Sequence, residues 1–402
     1  MHLVIIGAGA AGLAAACEAA ENGARVTILE RHRRPGRKIL ASGNGRCNIM
    51  NTGRCYYHGR ELADAVLDAV PSEEIHAFFQ KSGLSILREP EEDGRLYPSV
   101  MQSGAVLQCL LSRLRDLKCR LVTDCRCDRI VPEDYGFRIV TNQGELSSDS
   151  VIIAAGTPAG GNLGYDAYGL LSGLGHHITP CLPSLCPIRC SGLPFSRLKG
   201  SRFPAGLTLI RNGRKIEYSS GELLLTDTGI SGICAMQLSA SAAALPYDGE
   251  TTVSVDLSPL MDVSPRRHLH LTQAPFPEPD INAVSELLMS RSQYLPRKRL
   301  LYGLIPSELI DVTDDGKTDI RALSGILTNI PLTVTGVIAD RAQVIRGGAD
   351  PAEFDRSTLE SGLHRHLYAA GEILDVDGDC GGFNLMFAFA SGILAGRNAA
   401  RA

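Results

Sequence analysis

Tryptophan is absent from this 402-residue chain, and aromatic residues make up only 5% of it. A surface that stacks unpaired bases needs aromatic faces, so nucleic acid is not expected as a partner. The formal charge of −4 agrees, and the one basic cluster, Arg31 to Arg37, follows a strand where solvent or bound phosphate is the nearer partner. No uncharged apolar run reaches the roughly 18 residues that a membrane span needs. The apolar N-terminus lacks the basic leader of a signal peptide and is interrupted by Glu18 and Glu21. Twelve cysteines are present, yet none form a Cys-x-x-Cys pair. The closest sets are Cys125-x-Cys127 and Cys186-x-x-x-Cys190, without histidines at zinc spacing, so reduced thiols and no metal are expected. The chain therefore reads as soluble and cytoplasmic; these features do not set its oligomeric state.

What the sequence does contain begins at Leu3. An apolar run to Ile6 opens into Gly7-Ala8-Gly9-Ala10-Ala11-Gly12, and the strand Ala24 to Leu29 then ends in Glu30. Gly7 permits a tight turn, Gly9 lets backbone approach a diphosphate, and Gly12 lets the next helix pack on the strand. Phosphates would sit with Ala10 and Ala11 on the free N–H groups of that helix start. Glu30 can accept from both ribose hydroxyls of an adenosine, with Arg31 beside it. An acid there favours an unphosphorylated ribose, as in FAD or NAD.

A chain of this length exceeds one ordinary core. After the first βαβ unit, residues 36 to 48 (Gly-Arg-Lys-Ile-Leu-Ala-Ser-Gly-Asn-Gly-Arg-Cys-Asn) are so rich in glycine and small polar residues that a long ligand-contacting loop is expected. Helices are expected near 60–70, 72–82 and 103–117, and a strand hairpin near 119–141. A buried strand, Val151-Ile152-Ile153, then runs into Ala154-Ala155-Gly156. A hairpin turning on Asn212-Gly213 and a strand from Thr251 to Leu257 follow. From 264 to 325 the pattern is helical, broken by prolines, and strand character resumes at 331 to 336. The tail supplies a strand from Leu367 into Gly371-Glu372 and a helix from Phe383 to Arg397. The expected organisation is an α/β, Rossmann-like nucleotide-binding domain (1–185 with 337–402) carrying an inserted β-rich domain (186–258 with 326–336) and an inserted helical domain (259–325).

The N-terminal fingerprint alone leaves FAD and NAD open; the tail favours FAD. Residues 371 to 384 (Gly-Glu-Ile-Leu-Asp-Val-Asp-Gly-Asp-Cys-Gly-Gly-Phe-Asn) form an acid-rich turn followed by glycines at a helix start. Glu372 and Asp375 suit the ribityl and diphosphate region. The positive helix end at Gly381, Gly382, Phe383 and Asn384 suits a flavin edge that becomes negative on reduction.

The loop at 36–48, the phrase Glu-Asp-Gly-Arg-Leu-Tyr-Pro-Ser at 92–99, the stretch Gly-Glu-Leu-Leu-Leu-Thr-Asp-Thr-Gly-Ile-Ser-Gly at 221–232 and the tail at 371–385 together resemble a family of bacterial flavoproteins of the aminoacetone-oxidase-like and 3-dehydro-bile-acid-reductase type. The resemblance covers essentially the whole chain. It implies an FAD domain of the glutathione-reductase type with inserted β-barrel-like and helical domains. It also implies that Lys38, Ser42, Gly43, Arg46, Cys47 and Asn48 lie against FAD. The chain departs from the family's pattern at Ala155-Gly156-Thr157, at Gly161 to Tyr168, at Asp227-Thr228 and at Ile233, where the open face of a flavin is expected.

No second Gly-x-Gly-x-x-Gly follows residue 12, so NADH or NADPH would dock only transiently as electron donor. A flavin needs placement, a dry cleft and a proton donor; the candidates are Tyr165, Tyr168 and Asp227. Cys47 has no partner cysteine at usable spacing and reads as a small packed residue. Three activities fit: an FAD-dependent oxidoreductase saturating an activated C=C bond of a small, flat, apolar enone such as a 3-oxo steroid; a flavin amine oxidase; and a flavin redox sensor without catalysis.

Overall fold

Four consecutive aliphatic residues, Leu3 to Ile6, cannot alternate between core and water, so they need a sheet covered on both faces. The computed structural model, which describes residues 1–53, 55–88, 94–159, 167–263 and 269–401, places them there. The chain forms β1 (His2–Ile6), α1 (Ala10–Glu21), β2 (Arg25–Leu29), α2 (Arg37–Ala41), β3 (Arg120–Val122), β4 (Ser150–Ile153), β5 (Leu367–Ala369) and α3 (Phe383–Ala399). The strands make a parallel five-stranded sheet in the order β5-β4-β1-β2-β3. Leu3, Val4 and Ile5 in its centre are fully buried. A parallel sheet collects the C-terminal ends of all its strands on one edge, and there β1 runs into Gly7, β2 into Glu30, β4 into Ala154 and β5 into Ala370. Ligands of this fold class bind along that edge.

Helices α1 and α3 cover the sheet by packing backbone to backbone. A Cβ on Gly392 would stand 2.3 Å from the Ala11 carbonyl oxygen, and one on Gly396 would stand 2.4 Å from that of Ala15. The three helices expected before residue 120 are Arg60–Ala69, Ser72–Lys81 and Ser103–Asp116. The expected hairpin near 119–141 is corrected. Residues 120–122 leave it to pair with β2 as β3, because Asp124 takes a left-handed turn (φ 55°) that ends the strand. The antiparallel pair is Cys127–Glu133 with Gly136–Thr141, extended by Gly144–Ser148.

The chain divides into two compact units, residues 1–181 with 344–402 and residues 182–343. In the second unit six antiparallel strands close into a barrel: Arg202–Arg211, Thr251–Asp256, Ile330–Val337, Ile188–Ser191, Gly229–Ser231 and Arg214–Leu225, which pairs back onto the first. The Asn212-Gly213 turn joins two of them, with Asn212 at φ 50° and Gly213 at φ 73°. We propose that this unit comprises the expected β-rich part (186–258 with 326–336) and helical part (259–325). They share one buried cluster, since Val284, Leu288, Leu309 and Leu323 pack with Leu207, Leu223 and Val253. The helical expectation for 264–325 is corrected near its start: Leu269–Leu271 is a strand on the barrel, and among the described residues of this stretch helix begins only at Ile281. Pro275, Pro277 and Pro279 supply no N–H donors for an earlier start. No helix among the described residues is long and apolar enough to cross a membrane.

Candidate functional site

Gly7 occupies φ +105°, which a side chain would strain, and a Cβ there would come 2.5 Å from the Ala154 carbonyl oxygen. A Cβ on Gly12 would stand 1.9 Å from the Gly7 oxygen. These two glycines let β1, β4 and α1 meet, as the motif requires. Gly9 caps α1 with an extended backbone, and no atom lies within 4 Å of the Cβ position it leaves open. The first-turn N–H groups of α1 have no partner within the helix and carry its positive end.

Glu30 is only 8% exposed. Its Oε2 accepts from the Ala8 backbone N–H at 3.0 Å and its Oε1 accepts from the His32 N–H at 2.8 Å. A carboxylate has about four acceptor sites, so Glu30 can brace the glycine turn and still accept from a ligand. A cleft runs from Gly7, Gly9, Ala10 and Ala11 past Glu30 and Arg31 to Ala155, Gly156, Gly371 and Glu372, and reaches Leu385 and Ala388 of α3. Gly156 (φ +70°) also leaves its Cβ position open.

Residues 36–48, expected as a loop, are more ordered. Arg37-Lys38-Ile39-Leu40-Ala41 are good helix formers and make α2; a 3-10 turn, Ser42–Gly45, follows with Gly43 and Asn44 left-handed. The Lys38 Nζ donates to Glu372 and, at 3.0 Å, to the Thr157 hydroxyl, which joins α2 to the ends of β4 and β5. Ser42 caps its own helix by donating to the Ile39 carbonyl at 2.7 Å. The Arg46 guanidinium lies over the Tyr97 ring, 5.1 Å from its centroid. Cys47 is fully buried and left-handed (φ 61°), and burial pushes its thiol up to about 11. A neutral buried thiol is a packing group.

Gly371 (φ +75°) has room for no side chain, since a Cβ would meet Ala11 at 2.8 Å; its N–H donates to the Ser391 hydroxyl at 2.9 Å. Gly381 and Gly382 stand at φ +132° and +102°, with Gly382 the N-cap of α3. Phe383 packs edge-on to Tyr57, whose hydroxyl donates to the Phe383 carbonyl at 2.9 Å. Asn48 is 8% exposed and its Oδ1 has no hydrogen-bond partner. A Cβ on Gly382 would stand 2.6 Å from that oxygen. Open Cβ positions at Gly9 and Gly156, both lining the cleft beside the start of α1, fit an extended dinucleotide.

Two of the expected residues, Asp375 and Asn384, make hydrogen bonds within the protein. The Asp375 carboxylate accepts from the Thr179 hydroxyl at 2.7 Å and the Gly347 N–H at 2.8 Å, and lies 3.2 Å from His58 Nε2. Burial alone would raise it, yet the His58 and Thr179 hydrogen bonds hold it below the usual carboxylate range. The Asn384 side chain bridges the N–H and carbonyl of Gly378, at 2.9 and 2.8 Å. Among the candidate proton donors, Tyr168 is buried, its hydroxyl 3.5 Å from the Gly347 carbonyl and its pKa raised by that burial. Asp227 is an exposed turn residue of the second unit, 3.9 Å from Lys199. Tyr165 lies outside the described residues. The sequence reading did not assign Thr157, Leu385 or Ala388 to the cleft; Thr157 could have been found as the polar residue directly after the Ala155-Gly156 approach.

The chain matches the family model described as HI0933-like protein Rossmann domain over residues 1–398. It is 36% identical to the 3-dehydro-bile acid delta(4,6)-reductase of Clostridium scindens, across 98% of each chain. It is 26% identical, across 96% of each chain, to the ribosomal RNA dihydrouridine synthase of Haemophilus influenzae. Among solved structures, the 3-ketosteroid-delta4-(5alpha)-dehydrogenase of Rhodococcus jostii RHA1 aligns with 99% of this chain and 96% of its own, at 16% identity and a TM-score of 0.49. Fold, cleft and sequence kinship define a Rossmann-type flavoprotein oxidoreductase. The chain belongs to the HI0933-like family.

Proposed function

We propose that the chain holds FAD stretched along the C-terminal edge of its parallel sheet and reduces an activated C=C bond of an apolar enone of the 3-oxo steroid or bile-acid type, with NADH or NADPH as transient donor. The observation that carries this reading is the 36% identity, over 98% of the chain, to a bile-acid delta(4,6)-reductase. The diphosphate would be held by Gly7, Gly9, Ala10, Ala11 and Gly12, and the adenosine ribose by Glu30 and Arg31. Lys38, Ser42, Gly43, Arg46, Cys47, Ala155, Gly156, Gly371 and Glu372 would line the middle, and Asn48, Gly381, Gly382 and Phe383 the ring end. Bound there, FAD supplies two-electron hydride transfer. The protein's part is placement. Glu30 fixes the glycine turn, Lys38 pins α2 across the cleft to Glu372, and the first turn of α3 favours negative charge at its end.

A second reading has uridine in RNA as the acceptor, and is favoured by the two ribosomal RNA dihydrouridine synthases at 26% and 25% identity. The ring double bond of uridine is conjugated to a carbonyl, as an enone's is, so one cleft chemistry could serve either.

Purified protein, mixed without oxygen first with NADH or NADPH and then with a 3-oxo-4-ene steroid, a uridine-containing RNA or a small amine, separates these readings by flavin absorbance. Bleaching by the nicotinamide and recovery on steroid is the expected result. Recovery on RNA alone favours the second reading, bleaching by amine alone makes the chain an amine oxidase, and the absence of flavin overturns all of them.

A further inference from the structure

We infer that the guanidinium of Arg37, stacked on the ring of His32, is the platform that takes the adenine base of the bound dinucleotide. The inference rests on the FAD reading above and goes beyond it by assigning the base, the part of FAD that the glycine turn and Glu30 leave unheld.

Both side chains line the cleft, as do Ala8 and Glu30. The Arg37 Nη1 stands 2.8 Å from His32 Nε2 and 3.4 Å from Nδ1. Within the ring plane the Cε1–H group stands between those two nitrogens, so an atom this close to both lies over the face of the ring. The guanidinium is therefore laid on the imidazole, an arrangement that suits a planar, delocalised cation and not a compact ammonium.

Backbone contacts fix where the pair stands. The His32 N–H donates to Glu30 Oε1 at 2.8 Å, and its carbonyl accepts from the Asp124 N–H at 3.2 Å. Gly36 turns the chain left-handed at φ +67° and donates its N–H to the Ala8 carbonyl at 2.9 Å, which sets Arg37 as the first residue of α2. The pair is thus anchored on Ala8 and Glu30, the two residues that join the glycine turn to the end of β2.

In the FAD reading the adenosine ribose meets Glu30, and the base hangs from that ribose by a single bond. It therefore comes to rest on the cleft wall beside Glu30, where Arg37 is the exposed member of the pair and His32 the half-buried one. A purine stacks on such a plane without any hydrogen-bond code. The layers are then imidazole, guanidinium and purine: Arg37 touches the base, and His32 is a positioning residue that holds the guanidinium flat. Arg31, Arg33, Arg34 and Arg37 also attract a diphosphate by charge alone, so the test must separate plane from charge.

Apoprotein is titrated, by flavin fluorescence, with FAD and with the analogue that keeps the ribose and diphosphate but lacks the adenine base. The wild type is expected to prefer FAD by about thirty-fold, the scale of one stacked base. Arg37→Lys, which keeps the charge and loses the plane, should bring that ratio to about three or less, and so should His32→Ala. His32→Phe, which keeps a ring face, should hold the wild-type ratio. A wild-type ratio near one, an Arg37→Lys ratio at the wild-type value, or a His32→Phe ratio as low as that of His32→Ala overturns the assignment. Failure of the wild type to bind either form overturns the FAD reading itself and so is told apart. Should the His32 variants not fold, Arg37→Lys, a change at an exposed side chain, decides the matter alone.

Discussion

The carboxylate of Glu30 fastens the turn it was expected to face: it accepts from the backbone N–H of Ala8 at 3.0 Å. The acid at the end of β2 and the glycine turn at the end of β1 are thereby one rigid piece. Glu30→Ala should lower retained flavin several-fold and destabilise the fold by about 1–3 kcal/mol, because the buried Ala8 N–H loses its acceptor. Flavin absorbance per protein and urea unfolding check the two effects, and a variant that purifies with full flavin would refute the ribose assignment.

Lys38 bridges Glu372 and Thr157 across the cleft. Lys38→Met keeps most of the side chain's bulk and removes the charge, so FAD affinity should fall about ten-fold, with the loss of one charge-assisted contact. Fluorescence titration of the apoprotein measures it.

Gly392 meets the Ala11 carbonyl where α3 crosses α1. Gly392→Ala forces the helices apart and should cost about 3 kcal/mol. Gly104, in Ser103–Asp116, has nothing within 4 Å of its open position, so Gly104→Ala should instead stabilise by about 0.5 kcal/mol. Urea midpoints of the two variants should move in opposite directions.

The Asp375 hydrogen bond raises the pKa of His58 above 6.5, against the opposing effect of burial. A raised folded-state value means that the pair contributes stability below the ordinary histidine value and loses it as pH rises through the elevated one. His58 is 38% exposed, so solvent screening limits the contribution to roughly 1 kcal/mol or less. Melting curves of wild type and His58→Gln should therefore differ most near pH 6 and converge at alkaline pH, about pH 9.

Tyr168 sits in the core with its hydroxyl near the Gly347 carbonyl. Tyr168→Phe should keep turnover within about two-fold, since burial holds the hydroxyl near the Gly347 carbonyl and away from solvent. A hundred-fold fall in kcat would support it as the proton donor.

The features that could be read in advance are those that a few neighbouring residues determine alone. Gly7, Gly9, Gly12 and Glu30 announce a turn and a strand end by local spacing, and Gly381-Gly382 announce a helix start. Hidden features depend on distant segments meeting. Nothing near Asp375 in sequence reveals that Thr179, Gly347 and His58 will claim its carboxylate. The glycines at 392 and 396 look like poor helix residues until α1 is laid against them. The glycines around residues 37–41 make them read as a loop, although their own helix propensity suffices.

The last wall of the cleft, Leu385 and Ala388, belongs to the same pocket as Gly7 to Ala11. A ribosome must therefore make β5 and much of α3 before α1 gains the cover of α3. Until then β4 is an open sheet edge and α1 an apolar helix without its cover, both inviting association with other chains. Loading of the nucleotide thus waits until residues 385–388 have been made, and expression under flavin limitation should show its effect as aggregated nascent protein rather than as folded, empty enzyme.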